Sequence, residues 1–201
     1  MKGIRIKVEK DGLISVSAGK IVPNKDIDNF IILHEEKIIK ITEKLKSTIY
    51  YINENCKFNN GDIFYIWGEK YKIIISNKNE IDYNSKTLYL NQKCKNLKEN
   101  TEKLLRKECE IIFEKFSEKV YNNLMEYKGE KPLLTIKKMK SCWGLCYYKK
   151  GKITLNLRLS YFPQTLTEET IYHEYIHFIY PKHDKEFYKL LNKYILCKNN
   201  F

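Results

Sequence analysis

A chain of 201 residues is long enough for one sizeable core, or for a small domain beside a catalytic one. Its hydrophobic content of 43%, with 13% aromatic, excludes a disordered chain, and no run reaches the roughly 18 apolar residues of a membrane span. The net charge of +12 favours polyanionic neighbours such as nucleotides or nucleic acid, but no Arg-rich tail or nucleic-acid motif accompanies it, so most lysines read as a solvated surface.

The first residues, Met1-Lys2-Gly3-Ile4-Arg5, lead into alternation rather than an apolar secretory segment. Together with six cysteines of irregular spacing (Cys56, Cys94, Cys109, Cys142, Cys146, Cys197), this leads us to expect reduced thiols in a cytoplasm. Residues 3 to 8 and 13 to 18 alternate around Asp11-Gly12, the pattern of a β-hairpin. From Asn24 to about Asn53, Ile27, Phe30, Ile31, Ile38, Ile41, Leu45, Ile49 and Ile52 are spaced for a long amphipathic helix with room for a break. His34 lies within it with no second histidine four residues on, and reads as a surface or packing residue.

After Asn59-Asn60-Gly61-Asp62, short apolar runs at 63 to 67, 71 to 75 and 87 to 90 read as strands. Trp67 and Tyr71 read as core or cross-strand residues. Residues 95 to 127 form a second long helix whose buried side carries Leu104, Leu105, Ile111, Ile112, Phe116, Val120 and Leu124. Strands follow at Leu133 to Lys137 and Ile153 to Leu157, with Trp143-Gly144 as a turn between them. Cys142-x-x-x-Cys146 lacks the second pair that a structural zinc site needs, so both read as buried thiols. A closing helix runs from Asp184 through Phe187, Leu190, Leu191, Tyr194 and Ile195.

The chemistry concentrates at Tyr172 to His183, which holds three of the chain's four histidines. His173-Glu174-x-x-His177 on a helix puts two imidazoles one turn apart with a carboxylate beside them. Thr165-x-x-Glu168 after Pro163 reads as a capping box, and Tyr172, Tyr175, Ile176 and Ile179 supply the inward stripe. Pro181 ends the helix and lets the chain carry His183 back towards the other two. The last fifteen residues contain no His, Asp or Glu, which makes His183 the best third ligand over Asp184 and Glu186. Three histidines leave an open position for water, so one catalytic Zn²⁺ is expected, with its water acidified to about pKa 7 and Glu174 as the base that takes the proton. His183 stands at metzincin spacing, but Tyr180 occupies the glycine position and no methionine follows, so that clan does not fit.

Met139-Lys140-Ser141-Cys142-Trp143-Gly144-Leu145-Cys146, then Ile153 to Leu159, Pro163, His173-Glu174-x-x-His177 and Pro181-x-His183-x-x-x-Phe187, resembles the YgjP-like family of zinc metallopeptidases. The likeness is fullest over residues 132 to 195 and continues more loosely through Ile4 to Val16 and Asn60 to Tyr71. It implies an α+β fold: a zincin-like catalytic domain, related to SprT-like proteases, whose HExxH helix packs on a small mixed sheet. A β-rich N-terminal region with a long helix precedes it, the division expected being 1–94 and 95–201. The resemblance also implies His173, His177 and His183 as ligands and Glu174 as base. Family members usually carry Arg before the Trp-Gly pair and Ser-Cys after it, where this chain has Cys142 and Leu145-Cys146, a change that bears on substrate binding. Asn156 and Arg158 fall at matching positions and are expected to shape the cleft or brace its wall, beside Trp143. Tyr180 is expected near a developing oxyanion. Three functions follow: a metallopeptidase acting on peptide or protein, a metal-dependent nucleoside triphosphate pyrophosphohydrolase, and a nucleic-acid-associated metal-binding protein. None involves a membrane.

Overall fold

The computed structural model describes residues 4–8, 14–19 and 21–196, so the Asp11-Gly12 turn and Cys197 lie outside the described residues. The fold is α+β, with three small sheets and five α-helices among the described residues. β1 (Arg5–Val8) pairs antiparallel with β2 (Ile14–Ser17), Arg5 facing Ser17. The long helix expected from Asn24 is two helices, α1 (Asn24–Leu33) and α2 (Glu35–Glu54). The break falls at His34, whose Nδ1 lies 2.9 Å from the Phe30 carbonyl while its ring rests on the Phe30 ring.

The second sheet orders β3 (Ile63–Ile66), β4 (Glu69–Ser76), β6 (Thr87–Asn91) and β5 (Glu80–Asp82) as β3-β4-β6-β5, with β4 and β6 parallel. The short edge strand β5 is not marked by any apolar run, because only Ile81 in it is hydrophobic. Trp67 and Gly68 form the two-residue turn between β3 and β4, both at positive φ (52° and 82°). Trp67 is thus a turn residue rather than a cross-strand one, and its partly buried ring packs against the core as expected. Its amide donates to the Ser160 carbonyl at 2.7 Å and that of Gly68 to Tyr161 at 3.1 Å, clamping the sheet onto the segment that leads into the histidine helix. Gly68 is required here, since a Cβ would come within 2.7 Å of the Pro163 ring.

α3 (Leu97–Asn123) is capped by Asn96, whose side chain accepts from the Glu99 amide at 3.0 Å. Its buried stripe is Thr101, Leu105, Cys109, Phe113, Ser117 and Val120. Ile111, expected inside, is exposed, because the small and weakly polar Thr101, Cys109 and Ser117 complete a stripe that a count of large apolar residues misplaces. The third sheet runs β7-β9-β8, from β7 (Leu133–Lys137), β8 (Gly144–Tyr147) and β9 (Lys152–Asn156). β7 is parallel and β8 antiparallel to β9. Of the Trp143-Gly144 pair, expected as a turn, Gly144 instead opens strand β8.

A 3₁₀ segment, Leu157–Tyr161, leads to α4 (Gln164–Ile176), which packs on α3, β8 and α5 (Lys185–Leu196). α4 starts after Pro163 without a side-chain cap, so the capping box is not formed; Glu168 pairs with Lys119 at 2.9 Å instead. Tyr172, Tyr175 and Ile176 are buried as expected, and the Tyr175 hydroxyl meets Ser117 Oγ at 2.7 Å. One continuous core runs from Ile49 to Leu190 and takes in residues of both larger sheets. No described helix is long and apolar enough to cross a membrane.

Candidate metal centre

α4 delivers His173 and Glu174 from its last turn, and His177 stands at its C-cap with helical φ and ψ (−62°, −19°). The chain then folds over: the Tyr180 amide bonds to the Ile176 carbonyl at 2.8 Å, Pro181 blocks further helix, and Asp184 accepts from the Phe187 amide at 3.0 Å to start α5. This turn brings His183 back over α4.

The three imidazoles converge. His173 Nε2 lies 3.2 Å from His177 Nε2 and 2.9 Å from His183 Nε2. Tetrahedral zinc with Zn–N bonds near 2.05 Å separates its nitrogens by about 3.3 Å, so the donor set fits that ion. Among the described residues these histidines are the one group of three or more His, Cys, Asp or Glu side chains close enough to share a metal. His177 Nδ1 faces the Tyr180 carbonyl at 3.3 Å, which fixes the proton on Nδ1 and leaves Nε2 as a lone-pair donor. Burial, with the neighbouring His177 and His183, holds His173 down to about 4, and burial also lowers His177. Both stay neutral at pH 7, the state that binds metal. The fully buried Phe187 ring lies 4.7–4.9 Å from all three imidazole rings and forms an apolar floor beneath them.

Glu174 is 5% exposed and sits against the edge of the third sheet. Burial pushes its carboxyl up to about 7, while the Cys146 amide pulls the other way. The approach is close enough that a Cβ on Gly144 would fall 2.5 Å from Glu174 Oε1, so that position has no room for a side chain. The Asn156 amide donates to the Trp143 carbonyl at 2.8 Å, which makes Trp143 and Asn156 a hydrogen-bonded pair. By alternation, Gly144 and Cys146, opposite Leu155 and Ile153, turn their amides and carbonyls to the free edge of β8. A cleft of about 620 Å³ lies along that edge, lined by Gly144, Leu145 and Cys146 on one side and by His173, Glu174, His177 and His183 on the other.

The remaining expected residues are spread around this centre. Trp143 lines the cleft. Asn156 and Arg158 do not, because β9 ends at Asn156 and Arg158 lies in the 3₁₀ segment that follows. Asn156 holds the loop before β8 by donating to the Met139 and Cys142 carbonyls at 2.9 and 2.7 Å. Arg158 Nε donates to Glu54 at 3.0 Å and Nη1 donates to the Met139 carbonyl. Tyr180 reaches the centre through its main-chain carbonyl, and its phenol is not part of the cleft lining. Cys142 and Cys146 both border the cleft, and burial raises the Cys146 thiol to about 12, an inert state. Sequence reasoning missed the roles of Gly144 and Phe187. The signal for Gly144 is a glycine opening a strand, where its conformational cost needs a reason such as close approach.

Among known families, the model described as YgjP-like, metallopeptidase domain, matches residues 2–195. No curated protein matches the chain.

Proposed function

The chain belongs to the YgjP-like metallopeptidase domain family, and on that premise we propose that it is a zinc-dependent peptidase. His173, His177 and His183 are the zinc ligands and Glu174 the general base. The observation that carries this reading is the convergence of three imidazoles beside a carboxylate and a free strand edge in one cleft. Zinc at that point supplies Lewis-acid polarisation of a carbonyl and a water acidified to near neutrality.

The chain's own groups do the rest. An extended peptide pairs with β8 through the main-chain groups of Gly144 and the Cys146 carbonyl, which fixes its backbone across the cleft. Glu174, already desolvated, takes the proton of the attacking water and passes it to the leaving amine; the Cys146 amide keeps its carboxylate aimed. The Tyr180 carbonyl orients His177, and the Phe187 floor keeps water from beneath the imidazoles. Residues 95–201 carry this chemistry in our reading, and residues 1–94 brace it through the Trp67-Gly68 clamp and Glu54.

The test is turnover of an unfolded protein by the zinc-loaded chain, with Glu174→Gln as its blank and a nucleoside triphosphate panel in parallel. Peptide cleavage that drops at least about 100-fold in the variant, with zinc retained, is the expected result. Glu174-dependent phosphate release without peptide cleavage would overturn the peptidase reading.

A further inference from the structure

A second cavity of about 240 Å³ adjoins the cleft, and Cys142 and Trp143 line both. Its charged lining is wholly cationic: Lys46 from α2, Lys140 from the loop before β8, and Arg158, with no carboxylate among the described lining residues. The Arg158 side chain is only 9% exposed. With Nε on Glu54 and Nη1 on the Met139 carbonyl, its Nη2 has no hydrogen-bond partner among the described residues. Lys46 and Lys140 have no ion-pair partner among them either. Asn156 bonds to both Met139 and Cys142, which holds the intervening wall in place. The sequence carries the same bias further. Lys131 to Thr167 contains eight Lys and Arg residues and no Asp or Glu, and this segment supplies the whole of the third sheet.

We infer that this cavity is a carboxylate subsite, receiving an acidic side chain of the peptide that lies along β8, so that the substrate class is acidic peptide. The inference rests on the peptidase reading and names its substrate. Three features favour a carboxylate over a polyphosphate. Glu54 already offsets one positive charge, leaving a field suited to a single negative group rather than a triphosphate. The volume is below the roughly 300–1,000 Å³ of pockets that enclose whole small molecules, and suits one side chain. Finally, Trp143, Phe162 and Met139 give the cavity apolar walls against which the methylenes of a glutamate pack.

The experiment reads binding, not turnover, on the full-length zinc-loaded Glu174→Gln protein. A fluorescein-labelled peptide of alternating leucine and glutamate is titrated beside its glutamine counterpart at near-physiological salt, where long-range attraction is damped. The glutamate peptide is expected to bind about tenfold more tightly or better. The double substitution Lys46→Glu with Lys140→Glu is expected to bring that ratio close to one. A charge-matched control, Lys57→Glu with Lys115→Glu, is expected to preserve it. All four lysines are exposed or half-exposed, and Lys140→Glu alone serves if the first double variant melts early. Equal affinities in the parent, equal losses in both doubles, or displacement of the glutamate peptide by a nucleoside triphosphate at a lower concentration than by unlabelled peptide would each overturn the proposal. Because no cleavage is needed, loss of the peptidase reading and loss of this one are seen separately.

Discussion

Gly144 shows how a single missing side chain defines the centre. Any Cβ there meets the Glu174 carboxylate at 2.5 Å, and Glu174 is hemmed in by its own burial, so the carboxylate has to rotate away. Gly144→Ala is therefore expected to lower turnover by an order of magnitude or more while leaving zinc content unchanged, as checked by metal analysis alongside initial rates. Most of the histidine arrangement was legible in the sequence, because helical spacing and a helix-breaking proline are local rules. The placement of Arg158 was not. The strand before it ends at Asn156, one residue earlier than the apolar run suggests, and its partner Glu54 lies 104 residues away, a contact that no local pattern encodes.

At the scale of elements, α2 is joined to the C-terminal half by Glu54, which takes hydrogen bonds from Arg158 and Tyr161 and lies near Lys138 and Lys98. Burial raises the Glu54 carboxyl, but the Arg158 hydrogen bond and the lysine charges outweigh it, and the net shift is downward from 4.5. A carboxyl whose folded pKa is depressed adds stability that is present above its unfolded pKa and disappears as pH falls through the folded one. Glu54→Gln is thus expected to destabilise the chain at pH 7, and the difference from the parent in denaturant melts is expected to shrink as pH drops below about 4.5. An unchanged gap down to low pH would contradict this. The elements themselves were largely legible: the expected helices and strands are present, most with shifted ends, and the long helix from Asn24 is divided at His34. The exceptions have physical reasons. β5 has too little apolar content to announce itself, and the Trp67-Gly68 turn is held by the 3₁₀ segment rather than by its own sequence alone.

Across the whole molecule, the three histidines lie where α4, the α4–α5 turn and the start of α5 meet, so zinc held there would tie together elements that the chain otherwise joins only by packing. A ligand that binds the native state alone stabilises it by about 2.7 kcal/mol at a concentration 100 times its dissociation constant. For a chain of this length that corresponds to a rise in Tm of roughly 5–10 °C, expected between chelator-treated and zinc-loaded protein in a thermal scan. The continuous core predicts that this shift is felt in a single transition rather than in a separate C-terminal one. Eight of the chain's Lys and Arg residues fall in the acid-free stretch 131–167, which forms the sheet beside the cleft.

The most direct test of the account is zinc affinity, measured by calorimetry with metal analysis, for the parent chain, Glu174→Gln and each of His173→Ala, His177→Ala and His183→Ala. One zinc per chain in the parent and in Glu174→Gln, with affinity at least about 100-fold weaker in every histidine variant, is what three converging imidazoles require. Zinc bound equally well by the parent and the histidine variants would place the metal elsewhere and remove the centre on which the proposed chemistry depends.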